Sequence, residues 1–257
     1  FIINDYSCIT CKLKSIAMHY ANKVCDLECG KKPVCVHEFV GPVKIVLVES
    51  TAVDYQRKIW GSAAFTLATM LMGATVFAVF LFTLSFKLPL FVNLHVVLCT
   101  MGFHLFTTTG ILMFSSLFGG SMHLTPDDRK VQHTILEVFG FLIGWAGILL
   151  MIEYQELTVH ALTGFIGAIL AVLSSVIGPT VYLTGPKKFG LFKKNAHRVF
   201  VIPTFILLTV CFVLGLMKAS FIKWTPIKHL HYILIAFTVL YSVLTLVSIL
   251  LRAMYGT

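Results

Sequence analysis

An all-α integral membrane protein, a bundle of six spanning helices, is the fold class this sequence predicts, and three observations predict it. The 257 residues are 58% hydrophobic and only 12% charged. A soluble domain is about 25% charged, so too little polar surface is left to cover a water-soluble globule. Six segments each reach the roughly 20 mostly apolar residues needed to cross a hydrocarbon core about 30 Å thick. They are too long for the strands of a membrane barrel, which alternate and span in about 10 residues. The formal net charge of +9 reads as loop charge that orients the chain in the bilayer. It does not read as a nucleic-acid footprint, and no nucleic-acid partner is expected.

The first span is expected at Ile59–Leu84 and the second at Leu90–Phe118. The third follows at Val131–Ile152 and the fourth at Leu157–Leu183. The fifth is expected at Ala196–Met217 and the sixth at Leu230–Met254. Short links around Lys87 and Pro89, and at Glu153–Glu156, join the first span to the second and the third to the fourth. One face carries nine Lys/Arg: Arg57, Lys58, Arg129, Lys130, Lys187, Lys188, Lys193, Lys194 and Arg252. The other carries four: Lys87, Lys218, Lys223 and Lys228. Cytoplasmic loops are enriched in Lys and Arg, which puts the first face and both termini in the cytosol.

Residues 1–56 read as a polar, cysteine-containing N-terminal extension on the cytosolic side, ahead of a membrane domain at 57–257. The extension holds five of the seven cysteines: Cys8, Cys11, Cys25, Cys29 and Cys35. The Cys8/Cys11 and Cys25/Cys29 spacings suit a zinc site, or disulfides in a luminal segment. A reducing cytosol disfavours disulfides, and a solvated tail with scattered thiols is the plainer alternative. The opening residues lack the apolar core and cleavage site of a signal peptide. Cys99 and Cys211 fall inside the second and fifth spans and read as small apolar fillers.

Ionisable groups inside a membrane are costly, so each is a candidate for function. His95 and His160 lie in the early turns of the second and fourth spans, which both start on the non-cytosolic face. His133 and His197 lie in the first turns of the third and fifth, which both start on the cytosolic face. Two pairs at matched depth on parallel helices can supply two bis-imidazole haem sites. At 1.5 Å per residue the irons would lie on the order of 20 Å apart. A single histidine near a helix end is more often an interfacial residue that snorkels to headgroups; four at matched depths argue against that for the set. Gly164 and Gly167, with Gly140, Gly144 and Gly147, let helices or a flat macrocycle come close.

The other polar residues are less specific. His104 sits two and a half turns after His95, faces away from it, and is expected to hydrogen-bond within the bundle. Glu137, one turn after His133, is either a hydrogen-bond or proton-coupling partner or a group reaching the interface. His229 and His231 are expected to be exposed. Arg129, Lys130, Lys187, Lys188, Lys193 and Lys194 could bind an anion such as an enediolate or carboxylate, beyond their role in setting topology.

These residues carry a resemblance. Asn93-Leu94-His95-Val96-Val97-Leu98, followed by Gly110-Ile111-Leu112-Met113-Phe114-Ser115, resembles the second helix of the cytochrome b561 family. Lys130-Val131-Gln132-His133 with Gly140 is similar to its third helix, Thr158-Val159-His160-Ala161-Leu162-Thr163-Gly164 to its fourth, and Asn195-Ala196-His197 to its fifth. The chain is similar to the short, domain-only branch. It departs from the family at Val96, where proline is usual, at Ser115 and Ser116, where many members are basic, and at Trp145, where many carry a substrate-facing histidine.

The resemblance implies six helices and two b haems held in the central four. His95 and His160 would be the axial ligands of the non-cytosolic haem, and His133 and His197 those of the cytosolic one. It implies an ascorbate-dependent transmembrane ferrireductase: cytosolic ascorbate as donor, ferric iron or monodehydroascorbate as acceptor, and the six basic residues receiving ascorbate. A haem-containing relay to a partner protein, or a non-redox six-helix transporter or scaffold, remains an alternative. The expected setting is an endomembrane, the endoplasmic reticulum or a vesicle or endosome, with the plasma membrane as alternative and a homodimer as a candidate assembly.

Overall fold

The computed structural model describes residues 52–153, 157–183 and 190–255, without the side chains of 54, 181–183, 190–195 and 251–255. The chain divides into units at Phe1–Ser50 and Thr51–Thr257. The zinc or disulfide expectations for Cys8, Cys11, Cys25, Cys29 and Cys35 therefore lie outside the described residues.

Seven helices and no strand occur among the described residues: α1 Ala52–Leu84, α2 Leu90–Leu112, α3 Pro126–Leu149, α4 Val159–Leu183, α5 Gly190–Leu216, the short α6 Ala219–Trp224, and α7 Leu230–Tyr255. All but α6 are long and apolar enough to cross a membrane. Large apolar side chains point outward along them; Phe77 and Phe165 are 61% and 59% exposed. In lipid, such an outer surface is the expected one, because apolar faces gain little by turning inward.

The helix ends differ from the expected ones for local reasons. α3 begins at Pro126, five residues before Val131. Thr125 caps it by accepting the Asp128 N–H at 3.2 Å, Pro126 takes the first turn, and Asp127 and Asp128 follow. Each device favours a helix N-terminus, and the charged turn sits outside the apolar run. α2 stops at Leu112, six residues short of Phe118. From there the backbone bonds tighten to three-residue turns, and the Ser121 hydroxyl takes the Ser115 carbonyl at 2.5 Å. Serines offer the backbone such non-helical partners. α1 begins at Ala52, inside the expected extension.

α2 is not a uniform helix. Thr100–Phe106 is π-helical, and the Thr107 N–H bonds the Gly102 carbonyl five residues back. The wide turn presses Gly102 against α3: a Cβ there would overlap the Gly144 nitrogen and come within 2.6 Å of the Gly140 carbonyl. Gly140, Gly144 and Gly147 are the buried residues of α3, so these glycines serve helix packing.

The helices pack in antiparallel pairs: α2 with α3, α4 with α5, and α1 with α7, while α7 also meets α5. One end is closed by Val79, Phe82, Leu216, Phe221 and Leu234, with Phe82 edge-on to Phe221 at 5.1 Å and to Trp224 at 5.4 Å. That cluster holds α6 against the end of α1.

Candidate functional site

The paired helices place the four histidines. Thr158 caps α4 by accepting the Ala161 N–H at 3.2 Å, which fixes His160 in its first turn. His95 lies in the second turn of α2, at the same end of the bundle. Their ring centroids are 6.4 Å apart with planes at 84°. An imidazole nitrogen reaches a first-row metal at about 2 Å, and the ring centre lies about 1 Å behind it. Two imidazoles on opposite sides of one ion therefore have centroids roughly 6 Å apart, close to the observed separation. His133 and His197 occupy the opposite end, each the eighth residue of its helix counting from Pro126 and Gly190.

Three of the four rings are steered through Nδ1. His95 Nδ1 donates to the Gly147 carbonyl at 2.8 Å, His160 Nδ1 to that of Cys211 at 2.9 Å, and His133 Nδ1 to that of Gly110 at 3.0 Å. His197 Nδ1 is buried and closes no hydrogen bond. Between α2 and α3 the pattern is reciprocal. Each offers one histidine and holds the other's ring by a glycine carbonyl; α5 holds the His160 ring of α4 by the Cys211 carbonyl. A carbonyl can only accept, so the bonded Nδ1 carries the proton and Nε2 keeps its lone pair. Metal-binding histidines have this arrangement.

The surroundings leave room beside the rings. A Cβ on Gly215 would stand 3.4 Å from His160 Cε1, and one on Gly178 3.2 Å from His197 Cε1. Among the described residues no group of three or more His, Cys, Asp or Glu side chains could hold a metal ion. A tetrahedral zinc site of protein ligands is therefore not formed there. A haem brings four nitrogens of its own and asks the protein for two axial ligands, which suits paired histidines.

The remaining candidates fall into place unevenly. His104 is 3% exposed and bonds within the bundle as expected. Its Nδ1 meets the Tyr241 hydroxyl of α7 at 2.9 Å, and its ring stacks on Phe212 of α5 at 3.9 Å. Glu137 stands beside His133: its Oε1 lies 3.6 Å from His133 Nδ1 and is buried without a hydrogen-bond partner, while the side chain as a whole is 29% exposed. His229 is exposed, whereas His231 is 7% exposed with a buried, unpartnered Nδ1. The expected exposure of His231 is thus corrected: His229 precedes α7, whereas His231 lies in its first turn and faces inward. Arg129 is occupied by the Ser121 carbonyl at 3.1 Å and Lys130 by Asp127 at 2.7 Å. Lys187 and Lys188 lie outside the described residues, as do the side chains of Lys193 and Lys194.

Sequence reasoning missed the backbone acceptors of the rings, which no side-chain pattern announces. It also missed that Cys99 and Cys211 touch His95 and His160, at Sγ to Nδ1 distances of 3.6 and 3.5 Å. The four-residue spacing from His95 to Cys99 was the available signal for the first.

The family model for eukaryotic cytochrome b561 matches residues 94–223, just over half of the chain. The chain belongs to the cytochrome b561 family. Transmembrane electron transfer with b-type haem is the activity of this family, so the protein is a multi-pass haem-binding oxidoreductase. The match covers the four histidines and the helix pairs that present them. No curated protein matches the chain. In this cytochrome b561 the four histidines lie one on each of α2, α3, α4 and α5.

Proposed function

We propose that this cytochrome b561 carries electrons one at a time from ascorbate, at the face of the α2–α3 connection, to ferric iron or monodehydroascorbate at the opposite face. The observation that most supports it is the two-ended placement of four histidines, three of them with Nδ1 bonded to a backbone carbonyl. His95 with His160, and His133 with His197, would each hold one b haem. Bound there, the haems supply reversible one-electron carriers. The chain's own groups orient the rings, keep Nε2 unprotonated, and exclude water around the pairs. Arg129, Lys130, Lys187, Lys188, Lys193 and Lys194 would gather the ascorbate anion. Per electron, an ascorbate monoanion loses one electron and one proton to give the monodehydroascorbate radical, and one ferric ion becomes ferrous. The donor face would be cytosolic, by its excess of basic residues.

The test is an absorbance spectrum of the detergent-purified full chain, oxidised and then ascorbate-reduced, with haem quantified per chain. Two haems per chain, falling to one in His95→Ala and to one in His133→Ala, are expected. A colourless, folded chain would overturn the reading and favour a transporter or scaffold. Ascorbate-reducible haem with no ferric reduction would favour a relay to a partner protein.

A further inference from the structure

The two histidine pairs are not alike. Each ring of the His95–His160 pair has a thiol against Nδ1 in addition to its carbonyl. Cys99 Sγ lies 3.6 Å from His95 Nδ1, and Cys211 Sγ lies 3.5 Å from His160 Nδ1. At the other end His133 has the Glu137 carboxylate at 3.6 Å instead.

The thiols point their own hydrogens elsewhere. Cys99 donates to the Gly144 carbonyl at 3.7 Å and Cys211 to the His160 carbonyl at 3.4 Å. Each sulfur therefore has lone pairs free to face the imidazole N–H, which becomes a three-centre donor shared by a carbonyl oxygen and a sulfur. The backbone makes space for both. A Cβ on Gly147 would come within 2.8 Å of Cys99 Sγ, and one on Gly164 within 3.0 Å of Cys211 Sγ. Both cysteines are free thiols. A filler role explains one small apolar side chain in a gap. It does not explain two sulfurs on different helices, each at the same atom of its own histidine and each facing a glycine.

We infer that Cys99 and Cys211 are a matched pair of positioning residues that set the electron affinity of the centre held by His95 and His160 and distinguish it from the other. The inference rests on the two-haem reading above. A second acceptor on Nδ1–H pushes electron density onto the ring and makes Nε2 a stronger donor, which stabilises the oxidised metal. Removing the sulfur weakens that push, so the centre becomes easier to reduce.

The experiment is a potentiometric titration of the purified, haem-loaded full chain, followed by absorbance and by the low-temperature electron paramagnetic resonance of the oxidised form. Cys99→Ala, Cys211→Ala and the double variant are compared with wild type. One of the two centres is expected to move to higher potential. Its reduced-to-oxidised ratio at fixed ambient potential should rise several-fold in each single variant and further in the double, with its resonance shifted and the other centre unmoved. Cys99→Ser and Cys211→Ser keep an acceptor at the same place and should return the potential toward wild type. If an alanine variant fails to hold haem, Cys99→Val and Cys211→Val, which fill the space without a lone pair, decide: a raised potential and shifted resonance of one centre alone support the inference, and wild-type behaviour of both centres overturns it. Unchanged potentials in the alanine variants, or equal shifts of both centres, also overturn it and leave the thiols as packing. Absence of haem from the wild-type chain is a different result, which removes the functional reading itself.

Discussion

At the scale of single residues, the interior of this bundle is organised by imidazoles whose partners are fixed. His104 shows this away from the paired sites. Its Nδ1 shares a hydrogen bond with the Tyr241 hydroxyl at 2.9 Å. Tyr241→Phe removes that partner and leaves a buried nitrogen unpaired, which costs about 1–3 kcal/mol. Thermal unfolding in detergent should show that loss while haem content stays at the wild-type level. Gly102 is the opposite case, a residue defined by what it lacks. Gly102→Ala would press a methyl into the α3 backbone, and overpacking of this kind costs about 1–3 kcal/mol. The same melting experiment should report it, and an unchanged transition would mean that α2 and α3 separate more easily than their contact implies.

At the scale of elements, the Thr125 cap gives a measurable contribution. Thr125→Ala should cost about 1 kcal/mol, read as a lower melting temperature, with an unchanged spectrum because the cap lies two turns from His133. Legibility in the sequence also divides at this scale. The six spans, and the approach of His95 to His160, were readable because apolar length and helix direction are properties of the chain itself. The ends of α2 and α3 were not, since capping and serine-mediated turns act outside the apolar run that marks a span. His231 was misjudged because an exposed loop and the first turn of a helix look alike before the helix start is fixed. The carbonyls of Gly110, Gly147 and Cys211 were invisible, since every residue has one and only packing selects among them. Cys99 and Cys211 read as fillers because a thiol's neighbours on another helix leave no trace in spacing.

At the scale of the whole molecule, α2–α3 and α4–α5 are two hairpins of one design, each giving one histidine to each end of the bundle. Losing one histidine should therefore empty one end and spare the other. In His133→Ala the remaining haem should keep the wild-type potential of the His95–His160 centre, checked by titration of the purified variant; a shift would mean that the ends are coupled through the hairpins. The wide turn at Thr100–Phe106 has a consequence for how such hairpins can vary. A π turn holds about one residue more than the α-helical turn it replaces, so the stretch from His95 to Gly110 is about one residue longer than a plain helix of the same span needs. That surplus is slack. Shortening the stretch by one residue would straighten the helix yet leave His95 and Gly110 aimed much as before, whereas the same loss from a helix without slack would swing one end by about 100°. Chains of this kind can therefore differ by one residue between their two functional depths and still hold both in place, and a count of residues between those depths is not a measure of the angle between them.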